Sequence, residues 1–241
     1  MERKKINEVV AKFAHEVRSP LQKILLSVQM LETKLQATNK TRSRLEIITD
    51  AVNDINKLVE ELLHSSGPPK LELEALDIRH LIDNALNDLQ HEINRANVQI
   101  VKDYAINLPM IKADRLKINQ VLVNLITNAV QAMSGGGILS ISSQIINGRE
   151  LYKIPALPGS DIAPDKPSKN FIKMIFSDTG VGIAREALPN IFTPFYTTKE
   201  SGMGLGLPII KEIVEAHDGL IHVESREKRG SQFSILLPIN E

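Results

Sequence analysis

His15 is followed at once by Glu16 and then by Pro20, in the stretch Phe13-Ala14-His15-Glu16-Val17-Arg18-Ser19-Pro20-Leu21. An imidazole beside a carboxylate, on a helix that a proline disturbs, is a candidate nucleophile. Pro20 cannot donate a backbone hydrogen bond to the Glu16 carbonyl and its ring crowds that group, so the helix is expected to bend or loosen within a turn of the histidine. A solvated surface histidine next to an ordinary kink is the competing reading of this segment alone.

Farther along, Gln120, Asn124 and Asn128 recur on one helical face, with Gln131 continuing the row, while Leu122, Leu125, Ile126 and Ala129 cover the other side. Solvent-facing stripes usually carry lysine and glutamate, so carboxamides in their place point to a half-buried wall that hydrogen-bonds something. An asparagine carbonyl is a hard-oxygen ligand suited to Mg²⁺, and its amide can donate to phosphate. Helix packing through amides is the alternative. Asp178-Thr179-Gly180-Val181-Gly182 follows directly on an apolar strand, which puts a carboxylate at a strand end beside two glycines. There it can accept from an exocyclic amine, and the glycines let backbone approach a flat ring. The spacing fits neither a dinucleotide fingerprint nor a Gly-x-x-x-x-Gly-Lys phosphate loop. Phe192-Thr193-Pro194-Phe195-Tyr196-Thr197-Thr198-Lys199 then leads to Gly202-Met203-Gly204-Leu205-Gly206-Leu207, after which helical periodicity resumes. A glycine-rich loop opening a helix presents backbone amides and a positive dipole end to phosphate, with Lys199 and the threonines adding a cation and hydroxyls. Simple close packing is the other use of such glycines.

The elements that must carry these residues follow from periodicity. Two helices, from about residue 3 to 36 and from about 41 to 64, are separated by Thr38-Asn39-Lys40-Thr41. In the first, Ala14, Leu21, Val28 and Leu35 form one heptad row and Val10, Val17, Ile24 and Leu31 the other; in the second the rows are Leu45, Val52, Val59 and Ile48, Ile55, Leu62. Leu25, Ile47, Leu58 and Leu63 widen the stripe beyond what two helices can cover, which predicts a homodimeric four-helix bundle. Ser65-Ser66-Gly67-Pro68-Pro69 ends the hairpin. Beyond it come strands over Leu71 to Leu76 and Val98 to Tyr104, helices over Ile78 to Glu92 and Arg115 to Met133, and strands over Ile138 to Ile146, Phe171 to Ser177, Leu220 to Val223 and Gln232 to Leu237. Helices on one face of an antiparallel or mixed sheet result. Four prolines and two glycines between Asn147 and Asn170 read as a mobile hairpin extension.

Composition narrows the function classes. The 241 residues balance 29 lysines and arginines against 29 aspartates and glutamates, so net charge recruits neither nucleic acid nor an anionic membrane. The absence of cysteine removes thiolate metal sites and cysteine nucleophiles and fits a reducing, cytoplasmic setting. No apolar run is long enough to cross a bilayer, and the first residues form no signal-peptide core.

Taken in order, His15 to Pro20, the asparagine helix, Asp178 to Gly182, Phe192 to Phe195 and Gly202 to Leu207 resemble the H, N, G1, F and G2 boxes of the two-component sensor histidine kinases. The resemblance covers about residues 5 to 238. Asn124 to Met133 together with Thr197-Thr198-Lys199 is most similar to the nitrogen-regulatory and PAS-linked branch. It implies an α+β chain: a helical hairpin for dimerisation and histidine phosphotransfer (1–66), a linker (67–70), and an ATP-binding α/β sandwich of the Bergerat type shared with gyrase, Hsp90 and MutL (71–241). It also implies the roles. His15 attacks the γ-phosphate of ATP, and Glu16 orients and deprotonates the imidazole. Asn124 and Asn128 hold Mg²⁺ and phosphate oxygens, and Asp178 accepts from the adenine amine in a pocket shaped by Gly180 and Gly182. Thr198, Lys199, Gly202, Gly204, Gly206 and Leu207 wrap the triphosphate. The phosphate passes to an aspartate of a response regulator; Ser19 departs from the threonine or asparagine that the family often places there to position water for dephosphorylating the regulator, a task open to a serine hydroxyl. Pro208 departs from the serine common after the glycine run. No sensor precedes the H box, so a sensor on a longer chain or a separate protein is expected. A gyrase-type ATPase explains the sheet domain and not the hairpin; a scaffold that lost catalysis does not need its intact boxes.

Overall fold

A computed structural model describes residues 71–148, 169–199 and 204–239 and, in the amino-terminal segment, Leu21, Ile24, Ser27, Val28, Leu31, Leu45, Ile48, Thr49 and Val52. The chain divides into two units, Met1–Pro68 and Pro69–Glu241. In the first, the described positions are helical. Leu21, Val28, Leu45 and Val52, from the leading heptad row of each helix, are buried. The described positions of the other row, Ile24, Leu31 and Ile48, are exposed by 44%, 46% and 41%. His15, Glu16 and Ser19, the expected turn at Thr38 to Thr41 and the linker at Ser65 to Pro69 lie outside the described residues.

The second unit runs β1 (Leu73–Leu76), α1 (Ile78–Asp88), α2 (Gln90–Arg95), β2 (Val98–Tyr104), β3 (Ile111–Asp114), α3 (Arg115–Ala132), β4 (Gly137–Asn147), β5 (Asn170–Asp178), a short 3₁₀ turn (Leu188–Asn190), α4 (Gly206–Ala216), β6 (Leu220–Ser225) and β7 (Ser231–Pro238). Five strands form a sheet in the order β2-β4-β5-β7-β6, while β1 and β3 pair separately. The β2–β4 pair is parallel and the other pairs are antiparallel, a mixed sheet.

Strand alternation sets the faces. Leu139 and Ile141 of β4, Ile172, Met174 and Phe176 of β5, and Phe233, Ile235 and Leu237 of β7 fall at every second position and share one core with the buried faces of α1, α3 and α4. Ser140, Ser142, Lys173 and Gln232 occupy the intervening positions. Helix α3 buries Ile118, Val121, Leu122, Leu125, Ile126, Ala129 and Val130, which fixes the opposite, carboxamide-bearing face toward the site.

Asp114 organises the start of α3. Its carboxylate accepts from Lys117 N at 3.0 Å as an N-cap and from Glu72 N at 2.9 Å, tying β1 to the helix. Burial alone would raise its pKa, but the amides of Glu72, Lys117 and Leu116, with His217 nearby, outweigh that and hold the carboxyl below its ordinary value. The Asp114 amide donates to His217 Nε2 at 3.0 Å, so the ring proton resides on Nδ1 and is donated to the Ile213 carbonyl at 2.8 Å. The end of α4 is thereby locked to the start of α3.

Two elements differ from expectation. The single helix predicted over Ile78 to Glu92 is two, divided at Leu89, which closes one helix on Ala85 O and opens the next through Ile93 N. Strand β3 is absent from the elements that periodicity predicts: its four residues carry one alternation, too short for a signal, and it exists because β1 offers it a partner. Between β4 and β5 the ladder continues to Asn147 opposite Asn170, with Gly148 N donating to Lys169 O at 2.8 Å. The proline-rich residues 149–168 beyond it lie outside the described residues.

Candidate nucleotide site

Asp178 is the last residue of β5 and is buried to 6% exposure. One carboxylate oxygen, Oδ1, accepts from Gly180 N at 2.8 Å and Ser231 N at 3.2 Å. Burial raises its pKa; the two amides and the Lys199 charge oppose that without cancelling it. A carboxylate held this way has one oxygen committed to the fold and one left for a ligand.

The turn after it is braced from three sides. Val181 N donates to Ala132 O at 3.1 Å, satisfying a carbonyl at the end of α3. Thr179 exchanges bonds with Ile138 at the start of β4, Oγ1 accepting at 3.0 Å and the amide donating at 3.2 Å. The β6–β7 hairpin closes the third side: Ile183 N donates to Ser225 Oγ at 2.8 Å and Lys228 N to Val181 O at 2.6 Å, while Ser225 Oγ donates to Gly230 O at 3.0 Å. Gly180 and Gly182, expected to make room for a ring, are required by the protein itself. A Cβ at Gly180 would lie 2.6 Å from Ala132 O and one at Gly182 2.1 Å from Arg226 O.

Gly230 is the hairpin's counterpart, with φ of +89° and a hypothetical Cβ 1.9 Å from Asp178 O. Gly230→Ala therefore must displace the end of β5. We expect a stability loss on the order of 3 kcal/mol in denaturant unfolding, whereas Gly135→Ala, with nothing within 4 Å of the new methyl, leaves stability nearly unchanged. Equal, small effects would mean the hairpin does not brace the turn.

Opposite Asp178, α3 presents half-buried Asn124 and Asn128 and exposed Gln131. The Lys199 ammonium donates to Asn128 Oδ1 at 3.0 Å and Gln131 Oε1 at 2.7 Å. Lys199 is exposed as a residue, but its ammonium lies against the two carboxamides, and desolvation there lowers its pKa, opposed by Asp178. Asp178 and Lys199 are thus both pushed toward neutrality, because loss of water outweighs their mutual attraction. Thr197 Oγ1 accepts from Lys199 N at 3.1 Å and tightens the loop, with exposed Thr198 between them.

Helix α4 begins at Gly206 with no side-chain cap, and Asn128 Nδ2 is the nearest atom, 3.9 Å, to where a Gly206 Cβ would be. First-turn amides and the positive end of the helix dipole therefore face the same place as Asn128. Leu207 packs its side chain on the core, so only its backbone amide is available to a ligand. Gly204 O accepts from Phe195 N at 3.0 Å, joining the two loop ends, and Gly202 lies outside the described residues.

A divalent cation fits this donor set. Among the described residues no cluster of histidine, cysteine and acidic side chains could hold one. The Asn128 carbonyl, however, already faces a cation in Lys199, and Asn124 stands one turn away, its side chain without a hydrogen-bond partner among the described residues. Two carboxamide oxygens suit a Mg²⁺ that keeps water and phosphate as its other ligands. Ser231 and Gly230 meet Asp178, and Ser225 meets those two residues, only through strand register, which no local motif announces.

Comparison with known proteins gives a consistent picture. The pattern of the histidine kinase-, DNA gyrase B-, and HSP90-like ATPases matches residues 113–241, and that of the His Kinase A (phospho-acceptor) domain matches residues 5–66. The chain is 32% identical over 235 residues to the sensor histidine kinase ZraS of Escherichia coli strain K12, covering 98% of this chain and 46% of that protein. It spans about half the length of that relative. Its structure is similar to histidine kinase ThkA in complex with the response regulator protein TrrA, with a TM-score of 0.61 at 25% identity, over 97% of this chain and 61% of that one. It shares its fold with full-length ShkA in complex with AMPPNP, with a TM-score of 0.77 at 24% identity over 97% and 46% of the two chains. Among the described residues no helix is long and apolar enough to cross a membrane.

Proposed function

Because the chain belongs to the histidine kinase-, DNA gyrase B-, and HSP90-like ATPase family, we propose that it is the catalytic core of a two-component sensor histidine kinase, taking the γ-phosphoryl group of ATP onto His15 and passing it to an aspartate of a response regulator. One observation carries the reading. Downstream of a phospho-acceptor match that includes His15, the Asp178 carboxylate, the Asn128 carboxamide, the Lys199 ammonium and the uncapped start of α4 converge.

Asp178 accepts from the adenine amine through its uncommitted oxygen, while Lys199, Thr198 and the amides of Gly202, Gly204, Gly206 and Leu207 face the phosphates. Mg²⁺, when bound by Asn124 and Asn128, supplies neutralisation of phosphate charge. Glu16 orients the His15 ring and takes its N–H proton as the other ring nitrogen bonds to the γ-phosphorus and the bond to the ADP oxygen breaks. Residues 1–66 are the dimerisation and phosphotransfer hairpin, 67–70 the linker and 71–241 the ATP-binding domain.

The open row Ile24, Leu31 and Ile48 supports a second copy completing a four-helix bundle. ThkA, captured with its response regulator, supports a receiver domain as the other partner. The Asn124 to Met133 and Thr197 to Lys199 segments favour the nitrogen-regulatory and PAS-linked branch. Balanced charge speaks against nucleic acid as a partner. The sensor resides on a longer chain or a separate protein, the core works in the cytoplasm, and Ser19 takes part in dephosphorylating the regulator.

Incubation of the chain with γ-labelled ATP and Mg²⁺ tests the reading. The expected product is a labelled chain whose label is lost in acid and kept in base. Acid-stable label, or free phosphate with no labelled chain, sinks it.

A further inference from the structure

Lys199 and Gln131 are not explained by nucleotide binding alone. The Lys199 ammonium is docked on α3, at 2.7 Å from Gln131 Oε1 and 3.0 Å from Asn128 Oδ1. The shorter bond goes to the residue with no role in the proposed chemistry. Gln131 lies three residues beyond Asn128 on α3, so their side chains stand on the same face and can share one cation. The lysine comes from the loop that precedes the glycine run, held in shape by Thr197 Oγ1 on Lys199 N at 3.1 Å.

Two consequences follow from ordinary chemistry. A carboxamide oxygen that accepts from an ammonium presents the lone pairs a hard cation would use. Lys199 in its docked position therefore competes with a divalent ion for Asn128. The hydrogen bond to Gln131 adds to the strength of that competition without contributing anything to the ion.

We propose that Gln131 is a positioning residue for Lys199: it holds the lysine across Asn128 in the nucleotide-free chain, so that loading of nucleotide with its divalent ion must first draw Lys199 off the α3 carboxamides and onto phosphate. The proposal rests on the nucleotide reading for its second half and on the observed geometry for its first. Removing the Gln131 acceptor while keeping its bulk, as Gln131→Met does, weakens only the docked arrangement. Nucleotide binding in the presence of Mg²⁺ should then tighten, by about threefold for one hydrogen bond to a solvent-accessible ammonium. The effect acts through Lys199 and vanishes when that residue is Gln.

Two measurements on the full chain test this. In nucleotide-free chain, the side-chain amide NMR resonances of Gln131 and Asn128 should both move in Lys199→Gln; a Gln131 resonance that stays in place overturns the docking. Titration with a fluorescent ATP analogue and Mg²⁺ should show Gln131→Met binding about threefold tighter than the parent, with no difference between Lys199→Gln and the double variant. Weaker binding in Gln131→Met, or the same change in both backgrounds, overturns the role through Lys199. If the parent binds no nucleotide while the Gln131 resonance moves as expected, the nucleotide reading fails and the docking stands.

Discussion

Asp178→Asn is expected to lower affinity for ATP on the order of a hundredfold or more while leaving the nucleotide-free chain as stable as the parent or more so. The asymmetry comes from how the side chain is tied down. Gly180 N and Ser231 N both donate to Oδ1, so the side-chain oxygen of asparagine must occupy that place and its NH₂ group must take the place of Oδ2. A donor then meets the donor of the adenine amine. The fold loses nothing, because both backbone bonds are kept, and it is relieved of a buried charge.

The pH dependence follows with a definite sign. Burial raises the Asp178 pKa, so its contribution to stability is fully present below the ordinary aspartate value and is lost as pH rises through the higher folded value. The melting temperature of Asp178→Asn should therefore pull ahead of the parent as pH rises through that window. Nucleotide affinity in the parent runs the other way, since only the ionised form accepts two bonds and still faces the amine; it should fall at a higher pH than an ordinary aspartate would dictate. Calorimetric titration with ATP and with GTP gives the sharpest check. A base with a carbonyl at that edge should gain on adenine in the variant, and unchanged ATP binding would remove Asp178 from the site.

Much of the fold is legible in the sequence. The strand Phe171 to Ser177 and the helix from Arg115 show because each is long and apolar enough to bury one face against a common core. Asp178 stands out in the sequence as a candidate ligand group because it is a carboxylate closing an apolar strand beside two glycines. The brace around it was not recognisable. Ser231 lies 53 residues from Asp178 in the chain and Ser225 lies 42 from Ile183, and only the pairing of β7 with β5 and β6 brings them in. In the sequence the two glycines of the turn suggest close approach to a ligand's ring; their missing side chains also make room for Ala132 and Arg226 backbone. Local pattern locates a functional group; the reason its neighbours are small is set by elements far along the chain.

His15→Ala is expected to remove all acid-labile label and leave ATP affinity unchanged, a combination that no substitution in the nucleotide site should produce. A phosphorus–nitrogen bond breaks in acid and survives base, so the label reports a histidine, and six are available. The second unit removes two of them. His217 has both ring nitrogens engaged, Nε2 by Asp114 N and Nδ1 by Ile213 O, and is buried; His222 is buried with Nε2 3.3 Å from Glu224. His80 and His91 are exposed, but neither is followed by a carboxylate and a kinking proline as His15 is by Glu16 and Pro20: Glu92 follows His91 without the proline, and Leu81 follows His80. Each alternative makes its own forecast. A gyrase-type ATPase would release phosphate in His15→Ala as readily as in the parent and label neither; a scaffold would bind ATP and label neither. Label persisting on His15→Ala would transfer the acceptor role to His64, which is followed by Ser65 and not by a carboxylate, or to an exposed histidine of the second unit, and overturn the assignment, whereas its loss with binding intact separates acceptor from nucleotide site in a single comparison.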